Sequence, residues 1–179
     1  MKSRLSMAAI AVTLSLGANL SVAQVMVGGA QMYPNKDIID NAVNSKDHTT
    51  LVAAVKAAGL VETLKGPGPF TVFAPTNAAF SALPAGTVDT LLKAENKAML
   101  SGVLTYHVVP GRLDAAALKT QIGSGKATLK TVEGSTLTAT AKGDSIILTD
   151  GKGGQAKVTT ANVYQSNGVI HVIDSVLMK

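Results

Sequence analysis

The chain has 179 residues, 46% of them hydrophobic and 15% charged, with no cysteine and no tryptophan. This length suits a single domain, and the composition is too apolar for a disordered chain. The lack of cysteine excludes disulfides, zinc–thiolate and iron–sulfur sites and thiol nucleophiles. The formal net charge is +5, but it is scattered, and only three tyrosines and three phenylalanines could stack on bases. We therefore do not expect nucleic acid as a partner.

The first 23 residues have the three parts of a secretory signal peptide. Lys2 and Arg4 precede an apolar run at residues 7–16, and the Ser-Val-Ala sequence at 21–23 provides small residues for a cleavage site. The run has about half of the roughly 20 residues that a membrane-spanning helix needs. We predict a cleaved signal peptide at 1–23, with an uncleaved anchor or a buried core helix as alternatives. The mature chain would then be secreted, periplasmic or at the cell surface, without a membrane span.

A helical region follows a short leader. Residues 24–35 lack periodicity and are predicted to be a flexible leader, which places the domain at 36–179. The pattern from Asp37 to Leu64 is helical. Within it, Thr49 to Ala58 has apolar residues at helical spacing, and Gly59 follows as a C-terminal cap.

The middle of the chain alternates between strand and helix signals. The β-rich segment Phe70 to Ala74 predicts a strand, and two short helices should follow it. The segment Ala94 to Thr105 predicts an amphipathic helix with a stripe of Met99, Leu100, Val103 and Leu104. Asp114 is placed to cap one more short helix.

The last third of the chain is rich in strands separated by glycine-containing turns. Such turn residues supply the positive φ angles that hairpins require. Helices in the first half and mainly antiparallel strands in the second predict an α+β fold. The predicted strands are Thr136–Ala141, Ser145–Thr149, Ala156–Thr160 and Val169–Ile173.

Three motifs in this chain resemble those of fasciclin domains. The segment 71–80 resembles the first signature, the Tyr-His pair at 106–107 has the family's mid-domain position, and the segment 167–177 resembles the second signature. The motif residues are Thr71, Phe73, Ala74, Pro75, Thr76, Phe80, Tyr106, His107, Asn167, Gly168, His171 and Asp174. The chain is similar to single-domain secreted bacterial fasciclin proteins, including symbiotically induced proteins of root-nodule bacteria. The resemblance implies a wedge of about seven strands surrounded by short helices, a role in adhesion and no family-wide catalysis.

The residues of both signatures also make physical sense as core. Pro75 tolerates only an extended residue before it, and Thr76 can cap the helix that carries Phe80. The strand at 169–173 is apolar on both faces except at His171, which is typical of a central, buried strand. The motifs therefore indicate fold more than function.

Sharper chemical interpretations find little support in the residue patterns. His107 and His171 could serve a metal or acid–base site, but they are more typical of hydrogen-bonded core histidines. His171, Asp174 and Ser175 provide the residue types of a hydrolase triad, yet Asp174 should face away from His171 on a strand. The segment 123–127 fails the phosphate-loop pattern twice and is interpreted as a flexible connector. The Lys-Gly-Asp sequence at 142–144 matches a short integrin signal but also ordinary hairpin chemistry.

We interpret the chain as a secreted, non-enzymatic adhesion or interaction domain. Its partner would be a cell-surface or matrix protein or polysaccharide, no cofactor is expected, and no catalytic or metal residues are assigned. The candidate surface is Pro110 to Lys119, including Arg112, with the neighbouring loop Gly66 to Pro69. The alternative is a periplasmic protein that binds a small apolar ligand in a crevice lined by Phe73, Phe80 and Leu104.

Overall fold

The computed structural model describes residues 25–179, so the predicted signal peptide at 1–23 lies outside the described residues. The strands of this part are β1 Met26–Val27, β2 Ala30–Gln31, β3 Phe70–Pro75, β4 Val108–Pro110, β5 Lys126–Lys130, β6 Thr136–Lys142, β7 Ser145–Thr149, β8 Gln155–Gln165 and β9 Gly168–Ile173. The α-helices are α1 Ile38–Ala42, α2 Thr49–Ala58, α3 Val61–Lys65, α4 Asn77–Ser81, α5 Thr87–Leu92, α6 Lys97–Tyr106 and α7 Ala115–Ile122. Short 3-10 turns, Lys46–His48 and Ala94–Asn96, precede α2 and α6. None of the helices in residues 25–179 has the length and hydropathy needed to cross a membrane.

Seven of the strands form one sheet with the order β4-β3-β9-β8-β7-β6-β5. The pair β3–β9 is parallel, with Phe73 opposite His171, and the other neighbours in this sheet are antiparallel. The sheet curls until its two ends meet, where the Val132 amide donates to the Val108 carbonyl at 2.8 Å. The predicted α+β wedge of seven mainly antiparallel strands is confirmed.

Both faces of the central strands are buried. Side chains alternate along a strand, so Val72 and Ala74 of β3 pack with the helices while Phe73 packs inside the curled sheet. Every residue of β9 is buried, as predicted for a central strand. The domain thus has two hydrophobic clusters that share the β3–β9 pair as their wall.

Local signals in the sequence set several element ends as predicted. Gly59 ends α2 with a φ of 72°. The Thr76 hydroxyl accepts from the Ala79 amide at the start of α4, and the Asp114 carboxylate accepts from the Ala117 amide at the start of α7. Each of these is a short-range contact that the local residue pattern encodes.

The segment predicted as a flexible leader has a defined structure from residue 25 onward. Strands β1 and β2 pair as a small hairpin, and Val27 and Met32 are buried in the helical cluster. The Lys46 amide donates to the Gly28 carbonyl at 3.2 Å, which fastens the hairpin to the domain. The absence of periodicity at 24–35 therefore did not reveal the hairpin, which packs on the domain through two apolar side chains.

Two further sequence predictions need correction. The connector predicted at 123–127 ends in β5, where Ala127 and Leu129 alternate inward. Met99 is 60% exposed, so the buried face of α6 consists of Leu100, Val103, Leu104 and Tyr106 instead.

Candidate functional site

The two candidate loops lie side by side on one end of the sheet. The Gly111 amide donates to the Pro69 carbonyl at 2.9 Å, and Arg112 next to it is exposed. Within the segment from Pro110 to Lys119, Leu118 is fully buried. Part of this segment therefore anchors the loop while the rest is displayed.

Two buried residues of the signature motifs hold the backbone of this loop. The Thr71 hydroxyl donates to the Gly111 carbonyl at 2.7 Å and accepts from the Leu113 amide at 2.8 Å. The His171 Nε2 bonds to the Leu113 carbonyl at 2.7 Å, and its Nδ1 accepts from the Asn162 amide at 3.4 Å. A ring that accepts at Nδ1 carries its proton on Nε2, so His171 is neutral and donates to Leu113. Burial lowers the pKa of His171, which agrees with this state.

An irregularity in β8 completes the surface around Arg112. Asn162 has a φ of 60°, the positive value that non-glycine residues rarely adopt, and its Oδ1 accepts from the Ala115 amide at 2.7 Å. Strain of this kind is often found at functional sites. The register of β8 against β9 shifts between Thr160 and Val163, the stretch that contains this residue, and also between Val158 and Thr160.

The side chains around this irregularity contact one another. The Tyr164 hydroxyl donates to Asp114 Oδ2 at 3.3 Å, and Arg112 Nη2 donates to the Gln165 carbonyl at 2.9 Å. Burial, followed by the charge of Asp114, raises the pKa of Tyr164. We call Arg112, Asp114, Asn162 and Tyr164 the loop surface. The predicted surface segment Pro110 to Lys119 contains Arg112 and Asp114, whereas Asn162 and Tyr164 follow the strand predicted at Ala156–Thr160 and were not predicted as part of the site.

The Tyr-His pair lies in the core. The Leu177 amide donates to His107 Nε2 at 2.9 Å, so the ring proton is on Nδ1 and bonds to the Val103 carbonyl at 2.8 Å. Burial lowers the pKa of His107 to about 4. The Tyr106 hydroxyl donates to the Thr136 carbonyl at 3.2 Å and accepts from the Gly151 amide at 3.1 Å. Both side chains thus have their polar atoms occupied within the fold.

Asn167 and Gly168 join the sheet to the helices. Asn167 Oδ1 accepts from the Ile38 amide at 3.1 Å, and Nδ2 donates to the Leu64 carbonyl at 2.6 Å. A Cβ at Gly168 would lie 2.0 Å from the Phe70 carbonyl oxygen, so only glycine fits between β9 and β3 here. These residues stabilise the architecture.

The remaining motif residues of the first signature lie along β3 and the helix after it. Phe73 is fully buried, and its ring stacks on that of His171 with 5.7 Å between centroids. Ala74 and Pro75 are buried, and Phe80 belongs to the helical cluster. These apolar side chains supply packing and offer no reactive group.

The structure does not assemble a hydrolase triad from the predicted residue types. His171 is buried against Leu113, whereas Asp174 is exposed and its Oδ1 accepts from the Lys157 amide at 2.8 Å and from the Ser175 hydroxyl at 3.2 Å. Across residues 25–179, no group of three or more histidine, aspartate or glutamate side chains is placed to hold a metal ion.

An apolar cavity of about 50 Å³ lies between the helices and the sheet. Phe73 and Leu104 line it as the alternative function predicted, whereas Phe80 does not. Val27 and Met32 of the N-terminal hairpin and the buried His48 line it as well.

Comparison with known proteins agrees with this architecture. A family model described as "Fasciclin domain" matches residues 46–179. Protein sll1483 of Synechocystis sp. is 51% identical over 141 residues, which cover 79% of this chain and 72% of that protein. The immunogenic protein MPB70 of Mycobacterium bovis is 42% identical, and the match covers 76% of this chain and 66% of that protein.

Two further similarities extend the comparison. The cell surface glycolipoprotein MPB83 of Mycobacterium bovis is 36% identical, and the match covers 76% of this chain and 58% of that protein. The fold is similar to that of a FAS1 domain pair from the insect cell adhesion molecule Fasciclin I, with a TM-score of 0.72 and 17% identity over 82% of this chain and 52% of the other. The chain therefore belongs to the fasciclin domain family.

Proposed function

We propose that this chain is a secreted, non-enzymatic adhesion or interaction domain whose loop surface binds a cell-surface or extracellular-matrix protein or polysaccharide. The observation that carries the proposal is the attachment of this loop to the sheet through Thr71 and His171. The buried side chains of these motif residues form hydrogen bonds to the backbone of an exposed segment and so make it rigid. A rigid surface loses less conformational entropy on binding.

The similar proteins also support a role in adhesion. One is named as a cell surface glycolipoprotein, and the similar solved structure comes from an insect cell adhesion molecule. The described motif side chains have partners within the fold, which leaves the surface as the place for recognition.

The chemistry of the loop surface indicates what the partner offers. Arg112 presents an exposed guanidinium, which pairs with carboxylates and with other planar acceptors. Tyr164 adds a half-buried aromatic ring beside it. A single small surface of this kind binds weakly, and clustering of many copies on a cell would raise the apparent affinity.

Attachment of the purified domain to its natural host or bacterial surface tests the proposal. We expect Arg112→Glu to weaken attachment of bead-clustered protein, with only a small loss of stability from the hydrogen bond to Gln165. Lys142→Glu is the matched control, since it makes the same charge change at the end of β6, next to the β6–β7 turn, and also disrupts the Lys-Gly-Asp sequence. Equal losses with the two variants, or a loss only with Lys142→Glu, would contradict the assignment of the loop surface. Equal attachment by monomeric and clustered protein would contradict weak, multivalent binding.

Export is a separate part of the proposal. Cleavage after Ala23 would leave Gln24 as the first residue of a periplasmic, secreted or surface-bound protein. Mass spectrometry of the exported fraction should find this N-terminus, and a product that retains residues 7–16 would argue against it.

A second candidate function is the binding of a small apolar ligand in the periplasm. The apolar cavity between helices and sheet favours it, because ligand sites are concave and lined mainly by hydrophobic side chains. Copurification of such a molecule in stoichiometric amount would favour this function over adhesion.

A further inference from the structure

The apolar cavity lies beneath the N-terminal hairpin. Val27 and Met32 of the hairpin, Ile39 and Val55 of the helices and Val72 of the sheet contribute to its lining. All five side chains are buried. The lining reaches the exposed residues Thr63 and Val132, so the cavity is closest to solvent between α3 and the β5–β6 turn.

The few polar residues of the lining are nearly all accounted for. The Thr105 hydroxyl donates to the Ser101 carbonyl at 2.7 Å, and both ring nitrogens of His107 are bonded. The Ser45 hydroxyl lies 2.8 Å from His48 Nδ1. Thr63 is exposed to solvent.

His48 is the exception. Its side chain is only 3% exposed, and its Nε2 is the one buried side-chain nitrogen or oxygen in residues 25–179 without a hydrogen-bond partner. The Ala74 carbonyl lies near the ring and favours its protonated form, but it does not meet hydrogen-bond geometry at Nε2, and burial dominates and lowers the pKa of His48. A buried polar atom without a partner is destabilising, so a ligand group that bonds to it would gain affinity.

We infer that the apolar cavity binds a small uncharged molecule that has an apolar body and one hydroxyl group, and that this hydroxyl bonds to His48 Nε2. The inference rests on the second candidate function and names its ligand class. A hydroxyl both donates and accepts, so it matches either tautomer that the contact with Ser45 allows. No charged side chain lines the cavity within the described residues, which disfavours a charged ligand.

The size of the cavity limits the ligand. An apolar cavity of about 150 Å³ accommodates benzene, and this cavity has about 50 Å³. The cavity is thus large enough only for the hydroxyl end of the ligand and its first carbons, and the rest of the chain would extend toward Thr63 and Val132.

The hairpin that covers the cavity lies outside the residues that match the family model, which begin at 46. A Cβ at Gly28 would lie 2.4 Å from the Ser45 hydroxyl, so the hairpin turn packs directly on the partner of His48. The hairpin over the cavity is therefore in direct contact with the Ser45–His48 pair.

Nuclear magnetic resonance of the full chain, labelled with 15N, tests the inference with 1-butanol as probe and 1-chlorobutane as its apolar analogue. We expect 1-butanol to shift the His48 Nε2 resonance, and we expect its preference over 1-chlorobutane, taken as the ratio of the two affinities, to be about five- to tenfold greater than in a chain without a polar group at this position, as one hydrogen bond predicts. His48→Asn, which retains a polar atom only near Nδ1, should lose this preference. His48→Gln, which places a polar atom near Nε2, should keep it.

The alternative outcomes separate the two claims. An affinity ratio that His48→Asn leaves unchanged, without a shift at Nε2, would leave the cavity as a ligand site but overturn the role of His48, and it would indicate a buried water on this nitrogen. Failure of both probes to bind would overturn the inference and the second candidate function together.

Discussion

His171, in the central strand of the sheet, donates a hydrogen bond of 2.7 Å to the carbonyl of Leu113, in the exposed loop 58 residues earlier in the chain. On the neighbouring strand, the Thr71 hydroxyl accepts from the amide of the same Leu113 at 2.8 Å. One residue of each signature motif therefore fixes one backbone group of Leu113. We call Thr71 and His171 the clamp, because together they position the backbone of the loop surface.

Thr71→Val tests the clamp. Valine keeps the shape of threonine but removes the hydroxyl, which leaves the Gly111 carbonyl and the Leu113 amide without their partner. We expect a loss of about 1–3 kcal/mol in the free energy of unfolding and faster hydrogen exchange at the Leu113 amide.

Thr128→Val is the matched control for this change. Thr128 is an exposed residue of the edge strand β5, so its substitution should change stability by less than about 0.5 kcal/mol. Unchanged exchange at Leu113 in Thr71→Val would mean that the loop is held by other contacts.

Gly168→Ala tests the close approach of β9 to β3. The new Cβ would lie 2.0 Å from the Phe70 carbonyl oxygen, a backbone atom that cannot move without separating the strands. We expect urea denaturation to show a loss of about 3 kcal/mol, at the upper end of the range for overpacking.

Gly102→Ala provides the opposite case within the same protein. Gly102 lies in α6, and a Cβ there meets no atom within 4 Å, so the helix should gain about 0.5–1 kcal/mol. For Gly168→Ala, a denaturation midpoint equal to that of the wild type would contradict the prediction, since it would show that β9 and β3 accommodate the extra methyl group without a loss of stability.

Met32→Ala tests whether the N-terminal hairpin belongs to the fold. Met32 is only 4% exposed and lines the apolar cavity, so its truncation should cost about 2 kcal/mol or more. Met26 of the same hairpin is 60% exposed, and Met26→Ala should have little effect. Equal thermal midpoints for the two variants would indicate that the hairpin contributes nothing to stability.

The sequence predicts the parts of this fold that depend on neighbouring residues. The Thr76 and Asp114 caps, the Gly59 helix end and the wholly apolar strand β9 each have a signal within a few positions. The hairpin β1–β2 has strands of two residues each, which is too short for a period to appear. From Lys126 to Lys130, polar and apolar residues alternate as in a strand, but Gly123 and Gly125 before them suggested a flexible connector.

The candidate site depends on contacts that no local pattern carries. Thr71 and Leu113 are 42 residues apart, and Asn162 and Ala115 are 47 apart. The unpartnered nitrogen of His48 is a property of the packed cavity, since the sequence shows only a histidine before a helix. The segment Pro110 to Lys119 and the loop Gly66 to Pro69 could be predicted as exposed. Thr71 and His171, which fix the first of these, could be predicted only as core residues.

The pH dependence of stability provides the last prediction. His48, His107 and His171 are buried, and burial lowers the pKa of each below its ordinary value. In the unfolded chain these rings take up protons near pH 6.5, whereas folded His107 does so only near pH 4. The unfolded state therefore binds more protons between these values, and stability is present above about pH 6.5 and is lost as the pH falls toward 4.

His107 alone accounts for about 3 kcal/mol of this loss, at about 1.4 kcal/mol for each pKa unit between 6.5 and about 4. Its second proton would occupy Nε2 and face the Leu177 amide, so acid should release the C-terminal segment first. Urea denaturation at pH 7.0, 5.5 and 4.5, with exchange at the Leu177 amide, measures both effects. His107→Gln should be about 1–3 kcal/mol less stable at pH 7 and should lose less on acidification. Loss of a stoichiometric metal ion on this substitution, with unchanged stability, would instead assign His107 to a metal site.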